Sequence, residues 1–235
     1  MAKGGKTARG RKTAARIVTA ATRLFVENGY VQTTMAAVAE EAGVAVQTLY
    51  LAFGSKAAIL AEVHDLSVVG ANENVPALDQ PWVADVRAEV DGPRALRLVM
   101  NNSLGISERV ATVYATIQTA AADTEVADLL AKVRTERLRS MRELAAILAT
   151  KSGFATDLAD RAADILYALV SVELYQLLVV ERHWTSEDWM AWAYDDAARC
   201  LFPNATATLE EAPFPQGIGN HSPRRSESVH DPAAG

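Results

Sequence analysis

The residues of this 235-residue chain whose types and spacing could do chemistry lie near its beginning. Gln47 and Thr48 fall in the first turn of a short apolar-periodic stretch, Val46 to Phe53. A glutamine so placed can bond adenine N6 and N7 together, and a threonine methyl can touch the methyl of thymine. Such contacts are made by the N-terminal turn of a helix laid in the major groove. Upstream, Lys3, Lys6, Arg9, Arg11, Lys12 and Arg16 crowd the first sixteen positions with no acid among them. Charge alone leaves two readings of that arm open, a polyanion contact or a solvated tail.

Enzymatic chemistry finds no comparable footing. The sequence has no G-x-S-x-G, no P-loop and no H-E-x-x-H, and its 4 histidines and single Cys200 do not cluster at metal-ligand spacing. His64 and His183 lie near expected helix ends and read as surface residues. Cys200, beside Leu201 and Phe202, reads as a small buried hydrophobe, with redox sensing the alternative. The expectation is a protein that is not an enzyme and uses no metal or cofactor.

Helices must position Gln47 and Thr48. Apolar residues recur at helical spacing from Thr13 to Asn28 (Ile17, Ala21, Leu24, Phe25), and Asn28-Gly29 supplies a stop. Thr33-Thr34 can cap a second helix running through Met35, Val38 and Ala39 to Ala42, which Gly43 ends. The third helix, 46–53, places Val46, Leu49, Tyr50 and Phe53 on one face and Gln47, Thr48 and Leu51 on the other. Two short helices joined by a glycine turn make a helix-turn-helix arrangement, with Ala39 small enough for close approach and Val38, Leu49 and Phe53 filling the core beneath. Gly54-Ser55 recaps a fourth helix toward Val69.

Beyond it, residues 71–92 lack a clean period and read as a surface connection. The remainder reads as helices at about 93–106, 108–122, 124–150, 157–182 and 186–201, with no period-2 stretch of sheet type. Residues 1–64 carry eight basic and four acidic side chains, so the overall charge of -6 hides a basic head on an acidic body. The organisation expected is therefore a basic flexible arm (1–12), a helix-turn-helix domain (13–58), a helical body (59–202) and a tail (203–235) too poor in large apolar residues to order. The N-terminal charges lead into no apolar run of the secretory kind, and the longest apolar run, 165–180, falls short of the ~20 residues of a membrane span. A cytoplasmic protein without a membrane partner is expected.

The spaced residues Phe25, Gly29-Tyr30, Thr33-Thr34-Met35, Val38-Ala39, Ala42-Gly43-Val44, Thr48-Leu49-Tyr50, Phe53 and Lys56 carry a resemblance. Over about 45 residues they resemble the N-terminal DNA-binding domain of the TetR family of bacterial transcriptional regulators. The resemblance implies an all-α fold, a three-helix head on a larger helical body that dimerises and takes a small molecule. It implies phosphate contacts from Thr34, Tyr50 and Lys56, with Ala45, Val46, Gln47 and Thr48 facing the groove. The family often has Ser where Ala45 stands, a basic residue at Val46, Gly at Gln47 and His or Tyr at Leu51 and Ala52. The chain thereby gives up a helix cap, ordinarily worth about 1 kcal/mol, and phosphate contacts that Lys6, Arg9, Arg11 and Lys12 could replace.

In the body, 157–182 is apolar almost all round, and a helix hydrophobic on every side must be buried on every side. One face would cover the chain's own core and the other a second copy about a two-fold axis. Leu166, Val170, Leu174, Leu177, Trp189, Trp192 and Ala193 are the expected interface, a fully internal helix of a monomer being the alternative. Dimerisation would set two recognition helices about one turn of DNA, roughly 34 Å, apart on a palindrome. Polar and aromatic residues in otherwise apolar faces are pocket candidates: Met100, Asn101, Leu104, Tyr114, Gln118, Met141, Tyr167, Glu173 and Tyr175. Each could equally be core, and Glu173 could receive a cationic ligand or pair with an arginine across the dimer. The function implied is a repressor of double-stranded DNA, a homodimer on a palindromic operator that a small-molecule effector releases. The alternatives are a TetR-like regulator without such an effector, an activator, or a helical protein-interaction module.

Overall fold

The computed structural model describes residues 8–70 and 75–204, and among them there is no strand, only one isolated bridge pairing Asp91 with Ser152. Lys6 and residues 205–235 of the expected tail lie outside the described residues, as does the side chain of Arg9. The first helix, α1 (Ala8–Gln32), begins inside the stretch expected to be a flexible arm and kinks at Gly29, where the backbone leaves helical geometry. Alanine, arginine and lysine are good helix formers, and Gly10 falls in the first turn, where it is tolerated. Next come α2 (Met35–Ala42), α3 (Val46–Phe53) and α4 (Lys56–Val69), at the bounds that capping signals and periodicity predict.

The expected surface connection contains a helix. A single 3-10 turn (Ala77–Asp79) leads into α5 (Pro81–Ala88), whose Val83 and Val86 are buried. Pro81 at the first helical position and two valines three apart are its signature. The body then runs as α6 (Gly92–Thr119), α7 (Thr124–Leu148), a 3-10 turn (Thr156–Leu158), α8 (Ala159–Leu169), α9 (Val172–Tyr175) continuing as a π-helical stretch (Gln176–Glu181), and α10 (Ser186–Leu201).

Two expectations about these helices are corrected. No break falls near residue 107. Ser103 returns its hydroxyl to Val99 O at 2.8 Å, so a serine in this apolar helix is satisfied without ending it. The 28-residue α6 is therefore one rod of about 42 Å. Conversely, 157–182 is not continuous, because Ser171 takes an extended conformation and caps α9 by accepting from Leu174 N at 3.1 Å. By length and composition alone, Thr156–Glu181 is long and apolar enough to cross a membrane, with 28% of its most apolar window buried in the chain.

The rod α6 joins two cores. Its C-terminal half (Val110, Val113, Tyr114, Ile117) packs with Ile17, Ala21 and Phe25 of α1, Val38 and Leu49 of the helix pair, and Ile59, Leu60 and Val63 of α4. Its N-terminal half (Leu96, Val99, Met100) packs with Val86, Leu144, Leu148, Leu166, Trp189, Leu201 and Phe202. Where α6 starts, a Cβ on Gly92 would lie 2.2 Å from the Phe202 ring and 2.5 Å from Ser152 O, so only glycine admits this crossing.

Candidate nucleic-acid interface and body pocket

The head is built around the turn between α2 and α3. Thr34 caps α2 by accepting from Ala37 N at 3.1 Å. Gly43 closes it in the left-handed region (φ 63), which costs glycine no Cβ clash, and Gly43 N and Val44 N donate back to Glu40 O and Ala39 O. The Arg16 guanidinium donates to Ala42 O and Gly43 O, pinning α1 to the same turn, while Arg23 pairs with Glu41. Two of the arm-proximal cations are thus spent on the head's own structure.

Lys56 is another internal fastener. Its ammonium donates to Tyr30 O at 2.8 Å and Thr33 O at 2.9 Å and stands 4.0 Å from the Tyr30 ring centroid. Burial lowers its pKa. Tyr30 itself is pushed up to about 12 by burial and by the carboxylates of Asp123 and Glu125. Beside them, buried Thr33 donates its hydroxyl to Leu24 O and Gly29 O, holding the kink of α1. Over this base α3 buries Leu49 completely and turns Gln47, Tyr50, Leu51 (90% exposed) and Ala52 outward. The helix start has no side-chain cap, because Ala45 has nothing to offer.

Head and body meet along α4, whose last carbonyls are claimed from α6. Arg109 donates from Nε to Ser67 O at 3.0 Å and from Nη2 to Val68 O at 3.1 Å. A guanidinium at a helix C-terminus also complements the helix dipole. These bonds tie α6 to the end of the helix that begins at Lys56.

The body holds two polar features. A cavity of about 290 Å³ lies between α6 and α10, lined by Arg97, Met100, Asn101 and Leu104 on one side and Glu187, Asp188, Met190, Ala191 and Tyr194 on the other. The Arg97 guanidinium covers the Tyr194 ring at 4.2 Å. Further along α6, Glu173 of α9 accepts from Tyr114 Oη at 2.7 Å and from Arg137 Nη1 at 2.8 Å, with Arg134 Nη2 at 3.9 Å. Burial pushes the Glu173 carboxyl up, but the bonds from Tyr114 and Arg137 outweigh it and the pKa is lowered. Tyr114 is raised, by burial first and then by the bond to Glu173.

Residues 17–63 match the sequence profile of the bacterial regulatory proteins, tetR family. The match lies within the head, α1 to α4, and leaves the body outside it. No curated protein sequence matches it. Solved structures share its fold at low identity. A transcriptional regulator from Saccharomonospora viridis in complex with choline is 20% identical, with 81% of this chain and 98% of that one covered at a TM-score of 0.62. NalD, the secondary repressor of the MexAB-OprM multidrug efflux pump in Pseudomonas aeruginosa, is 18% identical over 83% and 98% of the two chains at 0.61. A protein from Mesorhizobium loti described as a TetR-family transcriptional regulator is 17% identical over 80% and 94%, also at 0.61.

Of the residues expected to face the groove, Val46 packs partly against the head's core. Ala45 and Gln47 are exposed, and Val46 and Thr48 half-buried. Thr34 is exposed at the start of α2 with its hydroxyl occupied as a cap. Tyr50, expected on the apolar face with Leu49, is instead exposed. Arg11 and Lys12 are exposed on the first turns of α1. Lys56 departs most from expectation, since two of its three donors are committed to backbone carbonyls.

The nine pocket candidates divide between two places. Met100, Asn101 and Leu104 line the cavity, and Tyr114, Tyr167 and Glu173 belong to the arginine cluster. Tyr175 packs edge-on to Trp189, Met141 is core, and Gln118 lies half-buried near the end of α6. The partner of Glu173 is an arginine of its own chain. Arg134, Arg137, Arg97 and Tyr194 were not expected; Arg134 and Arg137, one turn apart on α7, become legible only once Glu173 is known to need a cation. Of the expected dimer residues, Leu166, Val170, Trp189 and Ala193 are buried in the chain's own core. Leu174, Leu177 and Trp192 retain surface. His64 is buried and Cys200 exposed, the reverse of both expectations.

Proposed function

We propose that the chain is an effector-released repressor that binds a palindromic operator as a homodimer through α3. The observation that carries this is the outer face of α3. Gln47, Tyr50 and Leu51 are displayed to solvent on a helix whose own core contact, Leu49, and whose supports, Arg16 and Lys56, are all fixed from behind. A rigid helix with bare polar ends needs a partner with base edges and phosphates. The exposed apolar pair Leu177 (46% exposed) and Val180 (57% exposed), with Leu174 and Trp192 near them in sequence on α9 and α10, supports a second copy covering this side, and we assign the low burial of Thr156–Glu181 to that contact rather than to lipid.

The body takes the effector, and the route to the head runs through α6, Arg109 and α4. An effector acts only through differential affinity for two head spacings, about 1.4 kcal/mol for each tenfold change in operator affinity. Choline in the Saccharomonospora viridis regulator illustrates how small such a ligand can be. The proposed protein is cytoplasmic and carries out no catalysis. Binding of the purified chain to its own upstream DNA, across a salt series and with Gln47→Ala alongside, tests the reading.

A further inference from the structure

Resting on the body's reading as an effector domain, we propose that Arg134, Arg137 and Tyr114 form a receptor for a carboxylate-bearing effector, which Glu173 occupies as an internal stand-in. Four elements converge here. Tyr114 comes from α6, both arginines from α7, Tyr167 from α8 and Glu173 from the second position of α9. Every polar contact to the carboxylate is a donor: Tyr114 Oη at 2.7 Å, Arg137 Nη1 at 2.8 Å and, as a looser ion pair, Arg134 Nη2 at 3.9 Å.

The donors outnumber what Glu173 can satisfy. Two guanidiniums face one carboxylate, leaving the cluster a net positive charge, and Arg137 Nε is buried without a hydrogen-bond partner. Arg134 reaches Tyr114 Oη from Nε at 3.3 Å but does not close a bond to the carboxylate. Arg137 is held over the Tyr167 ring, its Cζ 4.1 Å from the centroid, and is only 17% exposed, so its fork is restrained where it meets the carboxylate. Glu173 and Arg134, at 37% and 48% exposure, leave the carboxylate side open to solvent. The receptor is rigid behind and accessible in front.

Glu173 is also poised to leave. It stands just after the break between α8 and α9, where Ser171 caps a fresh helix start, and α9 runs into a π-helical stretch whose Gln176 donates to Ala111 O of α6 at 3.2 Å. A ligand carboxylate taking the arginines would free Glu173, unpin α9 from α7, and act on α6 through Gln176 and Tyr114. The same rod carries Arg109, the clamp on α4. Displacement at the cluster therefore reaches the head through contacts already in place.

The test follows the thermal unfolding of the full chain and of Glu173→Ala, Glu173→Gln and Arg137→Gln. Sodium formate and sodium benzoate are compared with sodium chloride at equal ionic strength, and DNA binding of each protein is recorded without added carboxylate. Both Glu173 variants should take up formate and benzoate saturably, with Tm rising by about 5–10 °C at concentrations near 100 times Kd. The wild type should respond to benzoate at about tenfold higher concentration, because its own carboxylate competes from an effective concentration of millimolar order. Arg137→Gln should respond to neither anion. Glu173 variants that respond to carboxylates no more than to chloride would overturn the receptor. Variants that respond beside a wild type that never does would make Glu173 a fixed structural partner and overturn the displacement. Failure of the regulator reading shows separately, as loss of DNA binding by the wild type whatever the anions do.

Discussion

Replacing Lys56 with methionine separates an internal fastener from a phosphate contact. Methionine keeps the unbranched stem and the packing against Tyr30 but removes the donors to Tyr30 O and Thr33 O and the cation over the ring. A hydrogen bond from a charged donor contributes about 1.5–3 kcal/mol when buried. Both bonds here are part-buried, so solvent screening places them at or below the low end, and an exposed-type cation–π contact adds about 0.5 kcal/mol. The expected loss is about 2–3 kcal/mol, or a fall in Tm of roughly 5–10 °C for a chain of this size. Thermal unfolding followed by circular dichroism reads it directly. The companion assay is the salt dependence of DNA binding, whose slope should stay within error of wild type. Unchanged stability, together with a slope lower by about 0.9 for each subunit, would show that Lys56 neutralises a phosphate and would refute the fastener.

Other perturbations bear on the remaining parts. Gly92→Ala forces a methyl to within 2.2 Å of the Phe202 ring and 2.5 Å of a backbone carbonyl, so calorimetry should show a loss at or above the usual 1–3 kcal/mol of overpacking. Glu173, whose pKa is lowered from its ordinary 4.5, contributes stability that is present above that value and lost as pH falls through the folded-state pKa. The stability gap between wild type and Glu173→Gln, measured by urea unfolding between pH 6 and 3, should accordingly be widest at pH 6 and close on acidification; a gap independent of pH would contradict the ion pairs. Leu177→Glu with Val180→Glu places two charges on the exposed apolar side and should convert a dimer to monomer in analytical ultracentrifugation without lowering helix content.

Much of the head was legible because its signals are local. Thr34, Gly43 and the Gly54-Ser55 pair announce helix ends through their own backbone and side-chain chemistry, and α2, α3 and α4 lie where those residues put them. The body was less legible because its decisive contacts join residues far apart in sequence. Ser103 and Ser171 are both serines in apolar stretches, yet one back-bonds within α6 and the other caps a new helix, and only the packing around each decides which. The inward commitment of Lys56 likewise depends on Tyr30 and Thr33, more than twenty positions from the lysine. Glu173 announced that it needed a partner but not where from, since Arg137 stands 36 residues away on another helix.

The most direct test of the central claim is a titration of the full chain on DNA from its own upstream region between 50 and 200 mM salt, with Gln47→Ala in parallel. The account predicts saturable binding well below the 10⁻⁴–10⁻⁶ M of non-specific association, weakening steeply with salt, and a changed base preference in the variant. Binding confined to that non-specific range on every fragment of a genome-wide pull-down, and indifferent to Gln47→Ala, would contradict it.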